Sequence, residues 1–246
     1  MSRACAEINL SAISQNLKSI KSRTSADVLA VVKADAYGHG LIPVSRALED
    51  AGANWFGTAL LEEAINLRNA GILKPIISWL TPLGEDFKSA IDLNIDLGIP
   101  SVDLLNEVIK AASLSGKTAR IHLEIDTGMS RGGVLSEWEQ LIKSALVAIN
   151  LKQVKVVGIW SHFARADEPD KLMNQEQLSL FEEKVNQAKA AGIDAEFIHI
   201  ANSAALFTNK SAHRNIIRSG IALYGLSPDI KTIGDSSSLG LKPAMK

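Results

Sequence analysis

The chain has 246 residues, 46% hydrophobic and 22% charged, enough apolar side chain for one large core, which excludes intrinsic disorder. Its 26 basic and 27 acidic residues leave a net charge of −1, so no long-range field gathers nucleic acid or an anionic membrane, and a small-molecule partner is expected. The single cysteine, Cys5, cannot form an internal disulfide, no apolar run suits a membrane span, and no signal-peptide core precedes Glu7; a cytoplasmic protein is the expectation.

A lone extra strand is expected over residues 4–8. The spacing of Ile13, Leu17 and Ile20 then predicts a helix with one buried stripe. Apolar, β-branched runs follow at 28–32, 55–57, 75–79, 95–97, 120–125, 154–160, 197–200 and 216–218. Helical stripes separate them, such as Leu105, Val108 and Ala112, or Leu178, Phe181, Val185 and Ala188. Gly52, Gly71, Gly116 and Gly192 mark helix ends, and Pro100-Ser101 marks a helix start. Eight βα units in this length fit a (β/α)8 TIM-type barrel of roughly 250 residues better than an open doubly wound sheet. The barrel is assigned to residues 1–230. Residues 231–246 are polar and rich in Gly and Ser, and read as a linker.

Catalytic groups of such barrels sit at the carboxyl ends of the strands. Lys33 follows the first strand, Glu124 and Asp126 end the fifth, His162 follows the sixth, Asn202 and Ser203 follow the seventh, and Arg218 ends the eighth. Lys33 lies directly after an apolar run, where desolvation makes an amine a nucleophile or base; the plainer reading is a lysine reaching to solvent. Tyr37-Gly38-His39-Gly40 could offer a phenol and backbone N–H groups to a phosphate, or be only a turn. Gly220 could present its N–H at a short helix in the corner where barrels bind phosphate, or belong to a tight connection burying Ile221 and Leu223. Asp126-Thr127-Gly128 also occurs in aspartic proteases, but those are antiparallel-sheet proteins. His122 reads as structural. His162 and His199 lack a second ligand at metal-site spacing, so no metal is expected.

The segment AVVKADAYGHG (30–40) closely resembles the pyridoxal 5′-phosphate attachment motif of the alanine racemases. HLEIDTGMSRGG (122–133), GIWSHFARADE (158–168), HIANSAA (199–205) and RSGIALYG (218–225) follow in that family's order. The resemblance runs over essentially the whole chain. It implies a PLP-dependent isomerase interconverting L- and D-alanine by two-base proton transfer at Cα, supplying D-alanine for peptidoglycan. Lys33 matches the lysine that joins the cofactor covalently and moves the proton on one face. Tyr37, Ser203, Gly220 and Ile221 match positions around the cofactor phosphate, the last two through backbone N–H, and Asn202 and Tyr224 match further cofactor-binding positions. Arg218 matches the arginine facing the pyridine nitrogen, His162 the histidine that orients it, and Arg131 the arginine near the phenolic oxygen and the substrate. An arginine there donates without yielding a proton, which weakens the cofactor as an electron sink and favours racemisation.

Two departures from the family pattern follow. Glu124 stands where many members carry a carbamylated lysine, and its carboxylate is expected to pair with Arg131. Members also continue into a C-terminal β domain whose tyrosine, reaching across a head-to-tail homodimer, is the opposite-face base. Residues 241–245 resemble the start of that domain, so the chain reads as truncated, with little or no racemase activity of its own. The alternative is a single-domain PLP carrier or homeostasis protein, whose attachment motif differs.

Overall fold

Successive side chains of a strand point to opposite faces of the sheet, and the strands here separate two chemistries on that basis. The computed structural model describes residues 4–246. Eight strands, β1 (Asp27–Val31), β2 (Trp55–Thr58), β3 (Ile76–Ser78), β4 (Asp96–Ile99), β5 (Ala119–Glu124), β6 (Val154–Trp160), β7 (Phe197–His199) and β8 (Ile216–Ser219), run parallel in the order β7-β6-β5-β4-β3-β2-β1-β8. The barrel is nearly closed. Between β7 and β8 the seam is held by Asn215 N–H donating to the Ile198 carbonyl at 3.2 Å and Arg218 N–H to the Ala201 carbonyl at 3.0 Å. The Asn215 side chain also accepts from Ile198 N–H at 2.9 Å.

Helices α3 (Leu41–Asp50), α4 (Leu61–Asn69), α5 (Phe87–Asp92), α6 (Val102–Ser115), α7 (Trp138–Asn150), α8 (Leu172–Ala190) and α9 (Ser203–Thr208) follow the strands, after α1 (Leu10–Lys21) and a one-turn helix α2 (Lys33–Gly38). The expected stripes are buried: Ile13, Leu17 and Ile20 on α1, Leu105, Val108 and Ala112 on α6, Phe181 and Ala188 on α8. Leu178 and Val185 pack against the same core. Helix α6 starts on Ser101, whose hydroxyl accepts from Leu104 N–H at 3.1 Å, and ends on Gly116 at φ +69°.

The apolar shell between strands and helices is continuous and mostly aliphatic, with Phe56, Phe87, Trp138, Phe163 and Phe181 among its members. The barrel interior holds a second, smaller cluster, Leu29, Val31, Trp55, Ile77, Trp79, Trp160 and Ile216, together with buried polar groups. On β5, Ile121 and Leu123 join the shell, whereas Arg120 and His122 pair with Asp96 on β4.

The strand expected over 4–8 is reduced to a single antiparallel bridge between Ile8 and Met245. Asn9 ends it, because its side chain accepts from Ala12 N–H at 2.9 Å and starts α1. Residues 231–246 form turns whose Leu239, Leu241 and Ala244 are buried. Asn16, fully buried on α1, pins this segment by donating to the Lys242 carbonyl at 2.8 Å and accepting from Lys242 N–H at 2.7 Å.

Candidate active site

A cavity of about 300 Å³ opens at the carboxyl ends of the strands, within the range of small-molecule sites. Lys33, Tyr37, Arg131, His162, Asn202, Ser203, Arg218, Gly220 and Ile221 all line it. Glu124 and Tyr224 do not; each lies behind a lining residue.

Lys33 leads into α2, which is wound left-handed: Ala34, Asp35, Ala36 and Tyr37 all have φ between 52° and 55°. Such a conformation costs roughly 1–2 kcal/mol per residue without glycine, so the surroundings must hold it. The Glu63 carboxylate accepts from Ala34 N–H at 2.6 Å and from Ala59 and Leu60 N–H at 3.1 Å each. Asp35 accepts from Leu41 N–H at 2.7 Å, and Ala36 N–H reaches the Val32 carbonyl at 2.9 Å. The turn brings the Lys33 amine and the Tyr37 phenol to the same cavity. Burial and the Arg131 charge lower the Lys33 pKa, with Glu63 opposing, so the free amine is more accessible than in an ordinary lysine. Burial raises that of Tyr37.

The ring of Tyr37 lies 4.7 Å from that of Tyr224, whose hydroxyl donates to the Val31 carbonyl at 3.0 Å. Tyr224 thus backs Tyr37. Across from them, Gly220 N–H donates to the Ser203 hydroxyl at 2.9 Å. A Cβ on Gly220 would lie 2.4 Å from the Tyr37 oxygen, so only glycine lets phenol, hydroxyl and backbone N–H share this corner. Asn202 caps α9 by accepting from Ala205 N–H at 3.0 Å.

Arg218 is buried, and among the described residues no carboxylate forms an ion pair with it. Its Nη1 donates to the His199 carbonyl at 3.0 Å and its Nη2 to the Ser161 carbonyl at 2.7 Å. Burial pushes its pKa down to about 9, opposed by Glu124 and assisted by Arg131; the guanidinium remains charged at neutral pH. Nη2 also reaches His162 Nδ1 at 3.1 Å. His162 is held well below the usual histidine range by burial and by the charges of Arg218, Arg131 and Lys33. It is therefore neutral, and since a guanidinium only donates, its proton sits on Nε2.

Glu124 does not make the expected pair with Arg131. Among the described residues its side chain has no ion pair and no hydrogen bond, and burial raises its pKa to about 7 against the pull of Arg218 and Arg131. The carboxyl sits under the Arg131 loop, 3.1 Å from where a Gly132 Cβ would be.

The sequence reading missed the aromatic floor of the cavity. Trp79 and Trp160 line it with centroids 5.8 Å apart, and the Arg218 guanidinium lies 5.0 Å over the Trp160 ring. Their signal was positional: each stands at the carboxyl end of a strand. His199, also missed, contacts Arg218 Nη1 through Nδ1 at 3.1 Å. Among the described residues, no cluster of three or more His, Cys, Asp or Glu is arranged to hold a metal, and no helix is long and apolar enough to cross a membrane.

Known proteins share this fold. The alanine racemase of Salinispora tropica is 42% identical over 246 residues, covering 100% of this chain and 65% of its own length. That of Thermobifida fusca is 46% identical over 242 residues, covering 98% and 64%. The chain therefore spans just under two thirds of these relatives. The crystal structure of alanine racemase from D-cycloserine-producing Streptomyces lavendulae superposes with a TM-score of 0.96 at 42% identity, over 98% of this chain and 63% of that one. Alanine racemase from Bacillus anthracis with bound L-Ala-P gives 0.85 at 33% identity, over 98% and 62%. The family description "Alanine racemase, N-terminal domain" matches residues 8–228. By this match and by the shared barrel, the chain belongs to the alanine racemase N-terminal-domain family.

Proposed function

We propose that this chain is the cofactor-holding barrel of a pyridoxal-phosphate-dependent racemase that interconverts L- and D-alanine, whose D-isomer serves peptidoglycan. The observation that carries this reading is a single 300 Å³ cavity bordered by an activated amine, a buried guanidinium and a glycine-bared phosphate corner. The residues fit the cofactor: Ser203, Tyr37 and the backbone of Gly220 and Ile221 would hold the phosphate, Arg218 would face the pyridine nitrogen, and Lys33 would bind the aldehyde carbon. When bound, the cofactor supplies an electron sink for negative charge developing at Cα of an amino acid.

The chain's own residues set the rest. Burial and the Arg131 charge lower the Lys33 pKa, so its Nζ takes a Cα proton more readily than an ordinary lysine amine. Arg218 keeps its protons, so it orients the ring nitrogen without protonating it fully. His162 offers a neutral Nε2–H, and Arg131 supplies positive charge near the substrate. Trp79 and Trp160 exclude water from the floor. Tyr37 and Tyr224 pack on each other, so the second base is assigned to a tyrosine outside this sequence, in a head-to-tail partner.

The test is to incubate the chain with pyridoxal phosphate, reduce with borohydride and map the adduct by peptide mass spectrometry. The expected result is a pyridoxyl group on Lys33, absent from Lys33→Ala. An adduct spread over surface lysines, or none, would count against the site.

A further inference from the structure

A line of polar side chains crosses the barrel interior, and the site described above uses only its upper end. From the cavity inward, Arg218 Nη1 meets His199 Nδ1 at 3.1 Å, and His199 Nε2 meets His122 Nδ1 at 3.0 Å. His122 Nε2 then meets Asp96 Oδ2 at 3.2 Å. At the far end Arg120 clamps Asp96 through Nε at 2.7 Å and Nη2 at 3.0 Å. Asp96, His122, His199 and Arg218 are each no more than 3% exposed.

Proton counting leaves one arrangement. A guanidinium has donors only, so His199 Nδ1 must be bare and its proton must be on Nε2. That proton points at His122 Nδ1, which must then accept, leaving the His122 proton on Nε2 for the Asp96 carboxylate. Every bond in the line donates toward Asp96. Burial opposes the charge on Asp96, but the hydrogen bonds from His122 and Arg120 outweigh it and hold the carboxyl below its ordinary range. Burial, with the Arg218 charge, keeps His199 neutral.

Apolar filling would serve stability as well, because desolvating such groups offsets most of what their pairing gains. The chain nonetheless makes room for the line. A Cβ on Gly158 of β6 would sit 1.9 Å from His122 Nδ1, so the imidazole lies in the space that any other residue would fill.

We propose that Asp96, His122 and His199 are positioning residues, whose one-way hydrogen bonds fix the guanidinium plane of Arg218 and, through it, the Nε2–H form of His162 at the cavity. Their value to catalysis rests on the proposed function; the proton arrangement itself does not.

The experiment is nitrogen NMR of the 15N-histidine-labelled chain. Expected spectra show bare Nδ1 and protonated Nε2 at His122, His199 and His162. An Nδ1–H form at His122 or His199 would overturn the proposal, and this reading needs no variant. Asp96→Asn keeps the volume but must turn its NH2 either against Arg120 Nε or against both Arg120 Nη2 and His122 Nε2. The expected outcome is a mixed tautomer at His122 and His199 and shifted ring nitrogens at His162, with circular dichroism unchanged. A folded Asp96→Asn protein with His162 shifts identical to those of the unaltered chain would reduce Asp96 to a plain ion-pair partner and end the proposal. Loss of pyridoxal phosphate binding with these tautomers intact would count against the proposed function and leave the line standing.

Discussion

Ile121 and His122 are consecutive on β5, yet the first packs in the shell under the helices and the second hydrogen-bonds inside the barrel. The shell is large, mostly aliphatic and continuous, and its contribution scales with the area taken from water. The interior is small and mixes three tryptophans with charged and imidazole groups. There the free energy depends on whether each donor finds its acceptor. Shell defects should therefore lower stability and leave the site's chemistry alone, while interior defects should disturb the site out of proportion to their effect on stability.

The largest expected effect tests the shell. Phe181 is fully buried on α8, and Phe181→Ala should cost about 3–5 kcal/mol in chemical denaturation. The folded fraction should still take the pyridoxyl label on Lys33; loss of labelling there would break the comparison.

Glu124→Gln probes the interior through pH. The folded carboxyl titrates near 7 against an ordinary 4.5, so between those values the folded state holds a proton that the unfolded state has released. The stability contribution of this proton is complete below about 4.5 and is lost as pH rises through 7. The variant should match the parent in acid and exceed it by up to about 3 kcal/mol at pH 8. Urea midpoints at the two pH values decide it, and equal gains at both would assign the effect to packing. His162 and His199 act in the opposite sense. Their pKa values are depressed, so their contribution is present above about 6.5 and lost as acid drives them to protonate.

Gly158→Ala should cost roughly 1–3 kcal/mol, because the new methyl collides with His122. Its distinguishing sign is a change in the His199 and His162 ring nitrogens, which Phe181→Ala should not produce. The smallest effect is expected for Ile121→Val, one residue from His122 but facing the shell. A loss of about 1 kcal/mol with unaltered histidine resonances would sharpen the contrast.

Much of the barrel and the mouth of its cavity was legible in the sequence. Lys33, His162, Ser203 and Arg218 were found because each follows or ends an apolar run, and parallel strands deliver such positions to one rim. Asp96 and His122 were not found, since one begins β4 and the other lies mid-strand, and they meet His199 only when the barrel closes. The alternation Arg120-x-His122-x-Glu124 was nonetheless a signal: polar residues at period two in a βα protein must face the barrel interior. The left-handed turn after Lys33 left no local mark, because Ala34, Asp35, Ala36 and Tyr37 have no intrinsic preference for positive φ.

The sequence by itself determined the strand and helix periods, the parallel order they impose and the residue types at the strand ends, because these depend on neighbours a few residues apart. Only the tertiary structure decided that Glu63 would hold a left-handed turn, that Glu124 would be buried without an ion pair to Arg131, and that two histidines and an aspartate would line up beneath Arg218. The first and last of these depend on distances between groups 26 to 77 residues apart, which no local pattern records and which take definite values only once the barrel has closed.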